Sequence, residues 1–295
     1  MIEEDYMDKA VAETGIAARR GDSRPGGNEF VRGFVVVAKR ELMRLSNDRA
    51  RMISSLAQPL MFFVVFGAGF SRLIPQTSLA PGVGFIQFLF PGIIAQTVFM
   101  TSIFSGLSVV WDREFGFLRE LLVAPISRLG IVFGKVVGSS ILAMVQATMI
   151  LLLAPLLHVK VTPDMLLVLY PLLALVSISM SCFGILLASR VRSQQAFQLM
   201  MQLVIFPMIF LSGIFFPLNR AAGWLATVSK FNPLTYGIDA VRHVFLDVAT
   251  AGTASVYGGV EWFGQPIGVI NEAIIMALAG LLMLLLALQA FTRQD

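Results

Sequence analysis

The sequence predicts an all-α integral membrane protein of six transmembrane helices, and three observations carry the prediction. Hydrophobic residues make up 57% of the 295-residue chain and charged residues only 14%, with a mean hydropathy of +0.80. Soluble domains average about a quarter charged residues. The apolar residues also gather into runs of about 20, the length that crosses roughly 30 Å of hydrocarbon at 1.5 Å per residue. Finally, the 22 Lys and Arg residues divide 17 to 5 between alternate connections. A surplus of cations marks the cytoplasmic side, so both termini are expected inside a cell membrane crossed several times.

Residues 1–28 are polar, carry mixed charge and end in Pro25, Gly26 and Gly27. They read as a flexible cytoplasmic tail with no cleavable signal. Residues 29–50 read as an amphipathic helix at the inner membrane surface. Phe30, Phe34, Val37 and Leu45 lie on its apolar side, with Arg32, Lys39, Arg40 and Arg44 opposite. The spans are expected near 52–70, 85–110, 130–157, 165–188, 197–216 and 267–291, with a short cytoplasmic tail at 292–295.

The stretch Trp111–Arg128, WDREFGFLRELLVAPISR, is too polar for hydrocarbon and too patterned for a slack loop. Trp111, Phe115, Leu118 and Leu122 share one helical face, and Pro125 stops the helix. A short amphipathic helix of mixed charge between two spans is suited to contact with a protein outside the bilayer. Gly130, Gly134 and Gly138 follow at every fourth position and give one bare helix face for close packing. The neighbouring Gly-x-x-x-Gly-Lys at 130–135 is one residue short of a phosphate loop and has Val136 in place of Ser or Thr. No other stretch offers a nucleotide-binding loop.

Between the fifth and sixth spans, Pro217, Gly223 and Asn232-Pro233 cut an apolar stretch into short pieces. Residues 217–247 are read as helices dipping into the outer leaflet. Trp224, Tyr236 and Trp262 suit the interface, and 250–265 reads as an exposed outer loop. The fifth span supplies Phe197, Met201, Phe206 and Met208, adaptable apolar groups that either line a route for a greasy solute or face lipid.

Catalysis finds little support. His158 and His243 are expected at the outer surface without metal-ligand spacing, and no metal site is expected. Cys182 lies in an apolar run and reads as packing. Glu272 is the clearest ionisable group at membrane depth. Such scarcity disfavours an ion-coupled carrier, and a plain membrane scaffold would not need the pieces at 217–247.

REFGFLRELLVAPISRLGIVFGK (113–135), FLSGIFFPL (210–218) and NPLTYGIDAVR (232–242) resemble the ABC-2 type transporter permeases, and most of all their daunorubicin-resistance branch of drug exporters. Phe117 stands where that family often has Thr. The resemblance implies a dimer, homo- or heteromeric, with one separate cytoplasmic ABC ATPase per copy. This chain would bind no cofactor, ATP and Mg²⁺ residing on the ATPase. Residues 111–125 would be the coupling helix, with Glu114, Phe115, Gly116, Phe117, Arg119 and Glu120 meeting the partner. Residues 29–50 would be the connecting helix. The pieces after Pro217, with Asn232, Pro233 and Tyr236, would form an outer gate. The solute would be a hydrophobic or amphipathic drug, antibiotic or lipid. The alternative is a polysaccharide or glycolipid. Membrane lipid is the other partner, and no nucleic acid is implied.

Overall fold

The computed structural model describes residues 31, 34–39, 43, 57–69, 84–115, 128–191, 193–215, 218, 222–249, 259–262 and 265–292. Eight α-helices among the described residues build the bundle: α1 (Phe85–Ile103), α2 (Ser105–Glu114), α3 (Arg128–Leu151), α4 (Pro163–Ser189), α5 (Gln194–Leu211), α6 (Gly223–Ser229), α7 (Pro233–Ala249) and α8 (Val269–Thr292). A shorter apolar helix, Ala57–Gly67, precedes them and runs into a π-helical turn at Phe63–Ala68. Residues 34–39 are also helical. Five helical stretches among the described residues are long and apolar enough to cross a membrane, with α1 and α2 counting as one, Phe85–Glu114. Where the first span is expected, at 52–70, the described residues hold only the apolar helix Ala57–Gly67, shorter than a membrane crossing.

Polar residues set the helix ends. Thr162 caps α4, its Oγ1 accepting from Met165 N–H, and Pro163 opens the helix where a missing N–H costs nothing. Ser193 caps α5 in the same way through Ala196 N–H. Successive long helices alternate in direction. One end of the bundle therefore carries Glu114, Arg128 and Ser189, and the other carries His158, Leu211 and the start of α8. The backbone turns at His158 with φ 56°, and Gln87 Nε2 donates to its carbonyl.

α1 is the buried centre. Every side chain from Phe88 to Phe99 is buried, as expected of a helix apolar all round. The most apolar stretch of Phe85–Glu114 is 78% buried, against 17% in α8, so α8 presents most of its surface outward. The α1–α2 unit crosses α4 at two glycines. A Cβ on Gly106 would fall on Gly184 O, and one on Gly184 would fall on Ile103 O. Only glycine permits backbone to meet backbone here. The Phe197 ring closes the same crossing, its Cζ lying 3.1 Å from where a Gly106 Cβ would stand.

Serines tie the interior together. Ser102 on α1 bonds Ser177 on α4 at 2.7 Å, and Ser177 donates to Ser140 on α3 at 2.9 Å. One turn further along, Ser139 and Ser181 pair at 2.7 Å. In hydrocarbon these hydroxyls have no water to turn to, so they hold the helices to one another.

Gly134 lies against the helical residues 34–39. Its Cβ would lie 2.8 Å from Val37 Cβ and 3.0 Å from Phe34 O, so this face of α3 receives the helical residues 34–39. Val37 and Ile131 pack there as a small separate cluster. Gly130 and Gly138 are buried on the same helix.

The stretch expected as an exposed outer loop is partly structured. Residues Glu261–Trp262 and Gln265–Pro266 form a two-stranded antiparallel turn. Val260 is buried against Leu218 and Tyr236. Its N–H donates to Asp239 Oδ2 at 2.6 Å, which pins the turn to α7. Residues 250–258 lie outside the described set.

Candidate coupling end and transport groove

At the Glu114 end, α2 continues through Trp111 to Glu114, so these residues form the last turn of the span rather than the start of a separate helix. Two contacts fasten that turn. Lys135 Nζ on α3 donates to Asp112 Oδ2 at 2.6 Å and to Ser108 Oγ at 2.8 Å. Both charges are almost fully buried, with side chains 1% and 8% exposed. Arg113 Nη1 donates to Val191 O at 2.8 Å, just beyond α4. The exit of the second span is thus tied to α3 and to the α4–α5 junction. Glu114 and Phe115 are exposed beyond the tie, Phe115 80% so. Gly116, Phe117, Arg119 and Glu120 lie outside the described residues, as does the remainder of the expected coupling helix to Pro125.

Lys135 counts among the 17 cations expected on the cytoplasmic side, and the structure buries it at the Glu114 end against Asp112. Asp112 and Lys135 stand 23 positions apart with a polar segment between them, and no periodicity links them.

Along the bundle a groove opens between Ala57–Gly67, α1 and α5. It encloses about 820 Å³ and is walled by Phe62, Phe66, Phe206, Phe210 and Phe215, with Gln58, Gln96 and Gln202 among them. A smaller recess of about 200 Å³ runs from it toward α3, bounded by Thr97, Thr101 and Gln146. Phe66 and Phe215 stack with centroids 4.7 Å apart, and Phe206 meets Phe210 at 4.6 Å. Of the four fifth-span residues singled out as pathway candidates, Phe206 lies on this groove. Phe197 and Met201 are buried in the core, on a stripe continued by Ile205 and Ile209, which also line the groove. Met208 is half-buried, and its carbonyl is capped from α7. The sequence pattern places α5 on two faces without saying which meets the bundle.

At the His158 end, the Asn232–Arg242 stretch closes the C-terminus of α5. The last carbonyls of a helix have no partner within it. Asn232 Nδ2 donates to Met208 O at 2.7 Å, Thr235 Oγ1 to Leu211 O at 3.4 Å, and Arg242 Nη2 to Gly213 O and Ile214 O at 2.9 and 3.0 Å. Asn232 Oδ1 also accepts from Leu234 N–H, capping α7 at Pro233. The Arg242 guanidinium lies 4.1 Å from the centroid of the Phe88 ring. Gly213 turns with φ 74°, and a Cβ there would press on Leu218. Tyr236 donates to Lys230 O at 2.8 Å and accepts from Trp262 Nε1 at 3.2 Å. Pro217 lies outside the described residues.

His243 and Arg242 are not surface residues. Arg242 is 1% exposed, and His243 Nδ1 pairs with the fully buried Glu272 Oε2 at 3.1 Å. Asp239, one helical turn before His243, brings a third ligand atom, and the three lie within 4.8 Å of one another. That is one short of the usual four-ligand structural zinc set. Glu272 Oε1 has no hydrogen-bond partner. Two carboxylates and an imidazole in such contact can share protons. Asp239 and His243 thus join Glu272 as buried ionisable groups. His243 and Glu272 are 29 residues apart, so spacing gave no signal. Asp239 and His243 at i and i+4 were the only hint. His158 is exposed, and Cys182 is buried among apolar neighbours.

A multi-pass helical domain with a groove lined, among the described residues, by uncharged side chains suits a membrane transport domain. The ABC-2 type transporter family model matches residues 32–246, and the chain belongs to that family. It is similar to "Putative transport permease ycf38" of Cyanophora paradoxa, at 34% identity over 73% of this chain and 75% of that protein. It is also similar to "Probable multidrug ABC transporter permease YbhR" of Escherichia coli (strain K12), at 29% identity over 61% of this chain and 49% of the relative. Nodulation protein J of Rhizobium meliloti (strain 1021) matches at 27% identity over 67% of this chain and 74% of the relative. The chain is therefore a transport subunit, and permeases of this family work with an ABC ATPase subunit that hydrolyses the ATP.

Proposed function

We propose that this chain is the membrane half of an ATP-driven exporter in the cell membrane. It moves a hydrophobic or amphipathic compound, a drug, antibiotic or lipid, out of the cell, as the daunorubicin-like branch does. In this reading the bundle has six spans with both termini inside, and a second permease, identical or related, completes it. The 111–125 segment seats in the ATPase through Glu114, Phe115, Gly116, Phe117, Arg119 and Glu120. ATP and Mg²⁺ bind on that partner. α6 and α7 are re-entrant helices that close the outer end, held to α5 by Asn232, Thr235 and Arg242.

The observation that carries the proposal is the fastening of the second span at Lys135–Asp112 and Arg113–Val191 O. A rigid tie there delivers displacement of the 116–127 segment to α2, α3 and the α4–α5 junction together. ATP binding draws the coupling segments inward, the helices flanking the groove shift, and the solute passes outward. Hydrolysis resets the bundle. Similarity to a probable multidrug permease, YbhR, supports a drug among the solutes, and the aromatic wall of the groove supports an apolar portion on any solute. Polysaccharide or glycolipid export is the alternative.

The test is co-purification from the native membrane, followed by ATP hydrolysis in vesicles. An ABC ATPase is expected to accompany the chain. The charge-reversed double variant Glu114→Arg, Arg119→Glu is expected to abolish solute-stimulated hydrolysis. Hydrolysis unaffected by that variant, or no bound ATPase, overturns the proposal.

A further inference from the structure

We propose that Asp239 and His243 of α7 and Glu272 of α8 bind one divalent ion of the zinc class, which joins the two helices. The proposal needs neither solute nor ATPase, so it stands apart from the exporter reading.

Asp239 and His243 are four residues apart on α7, the spacing that sets two ligands on one face of a helix. Glu272, in the first turn of α8, meets them from the facing helix. His243 Nδ1 lies 3.1 Å from Glu272 Oε2, and one ligand atom from each of the three residues lies within 4.8 Å of the others. Around tetrahedral zinc, ligand atoms about 2.0–2.1 Å from the metal stand about 3.3 Å from one another. The His243–Glu272 pair already has that separation. Asp239 reaches it by a small side-chain adjustment.

A second observation calls for a cation. All three side chains are buried, Glu272 fully so. Val260 N–H serves Asp239 Oδ2 at 2.6 Å and His243 Nδ1 lies on Glu272 Oε2, while Glu272 Oε1 has no hydrogen-bond partner. Two carboxylates this close, shielded from water, repel one another and leave one acceptor unserved. A cation among them offsets both costs. Arg242 turns its Nη2 instead to Gly213 O and Ile214 O. The turn at 259–262 closes over Asp239, since a Cβ on Gly259 would fall on that carboxylate.

The donor set selects the ion. Calcium takes six to eight oxygens, and magnesium keeps an octahedron rich in water. An imidazole with two carboxylates suits zinc, which accepts mixed nitrogen and oxygen ligands in sets of four. Glu272 Oε1, binding beside Oε2, or a water supplies the fourth. Because α7 also covers the end of α5, the ion would fasten that cover to α8.

The test uses the full chain with a histidine-free tag, purified in detergent from cells grown with added zinc chloride. Plasma mass spectrometry is expected to find one zinc per chain. After stripping with EDTA, cobalt chloride should give the visible absorption of four-coordinate cobalt(II). Zinc affinity is then titrated against a chelating dye. His243→Gln and Glu272→Gln should each weaken zinc by about a hundredfold or more, since removing even an outer-shell partner costs 10–100-fold. His158→Gln, which alters the chain's other histidine, should change nothing. Native chain without zinc overturns the proposal and leaves the carboxylates sharing a proton. So does displacement of zinc by equimolar calcium or magnesium, or an affinity indifferent to Glu272→Gln. The native stoichiometry and the cobalt spectrum decide even where a variant fails to assemble.

Discussion

The fastenings at the two ends of the bundle and the groove between them hold polar groups under opposite rules. Lys135 with Asp112, Arg242 with the turn after α5, and His243 with Glu272 are ionisable groups held by partners within the chain itself, with one Glu272 oxygen left over. Among the described residues, the polar groups lining the groove are amides and hydroxyls, and the buried Gln96 Oε1 beside it has no hydrogen-bond partner. A charge without water must have a permanent partner, and a permanent partner fixes geometry. A neutral amide tolerates waiting. The first arrangement transmits displacement, and the second suits a passing guest.

The contrast is broken most severely at the charged end. Lys135→Met leaves Asp112 buried without its cation, and a loss of about 3–5 kcal/mol of stability is expected. The double variant Lys135→Met, Asp112→Leu should recover most of it. Thermal unfolding of both in detergent checks the pair, and equal loss in single and double variants would show that the two do not act as a unit. Next comes the glycine crossing. Gly184→Ala presses a methyl onto Ile103 O, with a cost of about 1–3 kcal/mol or more and a lower yield of monodisperse protein. Asn232→Ala uncovers Met208 O and removes the cap of α7 together, which predicts about 1–2 kcal/mol in the same assay. Gln96→Leu should be smallest, under about 1 kcal/mol, because it removes a group that was not paired. A large loss there would mean that the amide is structural, and the two rules would merge.

How much was readable in advance follows the range of each interaction. Helix placement came from runs of apolar residues, and α3, α4, α5 and α8 begin and end within a few residues of expectation, apart from the bend after Leu151. The 17-to-5 division of cations also comes from local composition, although Lys135 and Arg242 proved to be interior groups on opposite sides of that division. The resemblance singled out NPLTYGIDAVR, but not why those residues matter. Asn232, Thr235 and Arg242 share the task of covering carbonyls at the end of α5, some 24 to 29 positions earlier. His243 looked like a surface residue because its partner Glu272 lies on another helix. Whether Phe197 and Met201 line a route or face lipid stays open in the sequence because α5 is apolar on both faces, and only its packing shows that they lie on the face that meets the core.

Sequence alone determined that this chain is a bundle of membrane helices without a nucleotide loop. Hydrophobic length, helix stops and loop charge act within a few residues, and each can be read one segment at a time. Tertiary structure decided which glycines touch, which charges are paired and which amides line the groove. Those outcomes depend on helix rotation and crossing, and rotation is fixed only when every helix has found its neighbours.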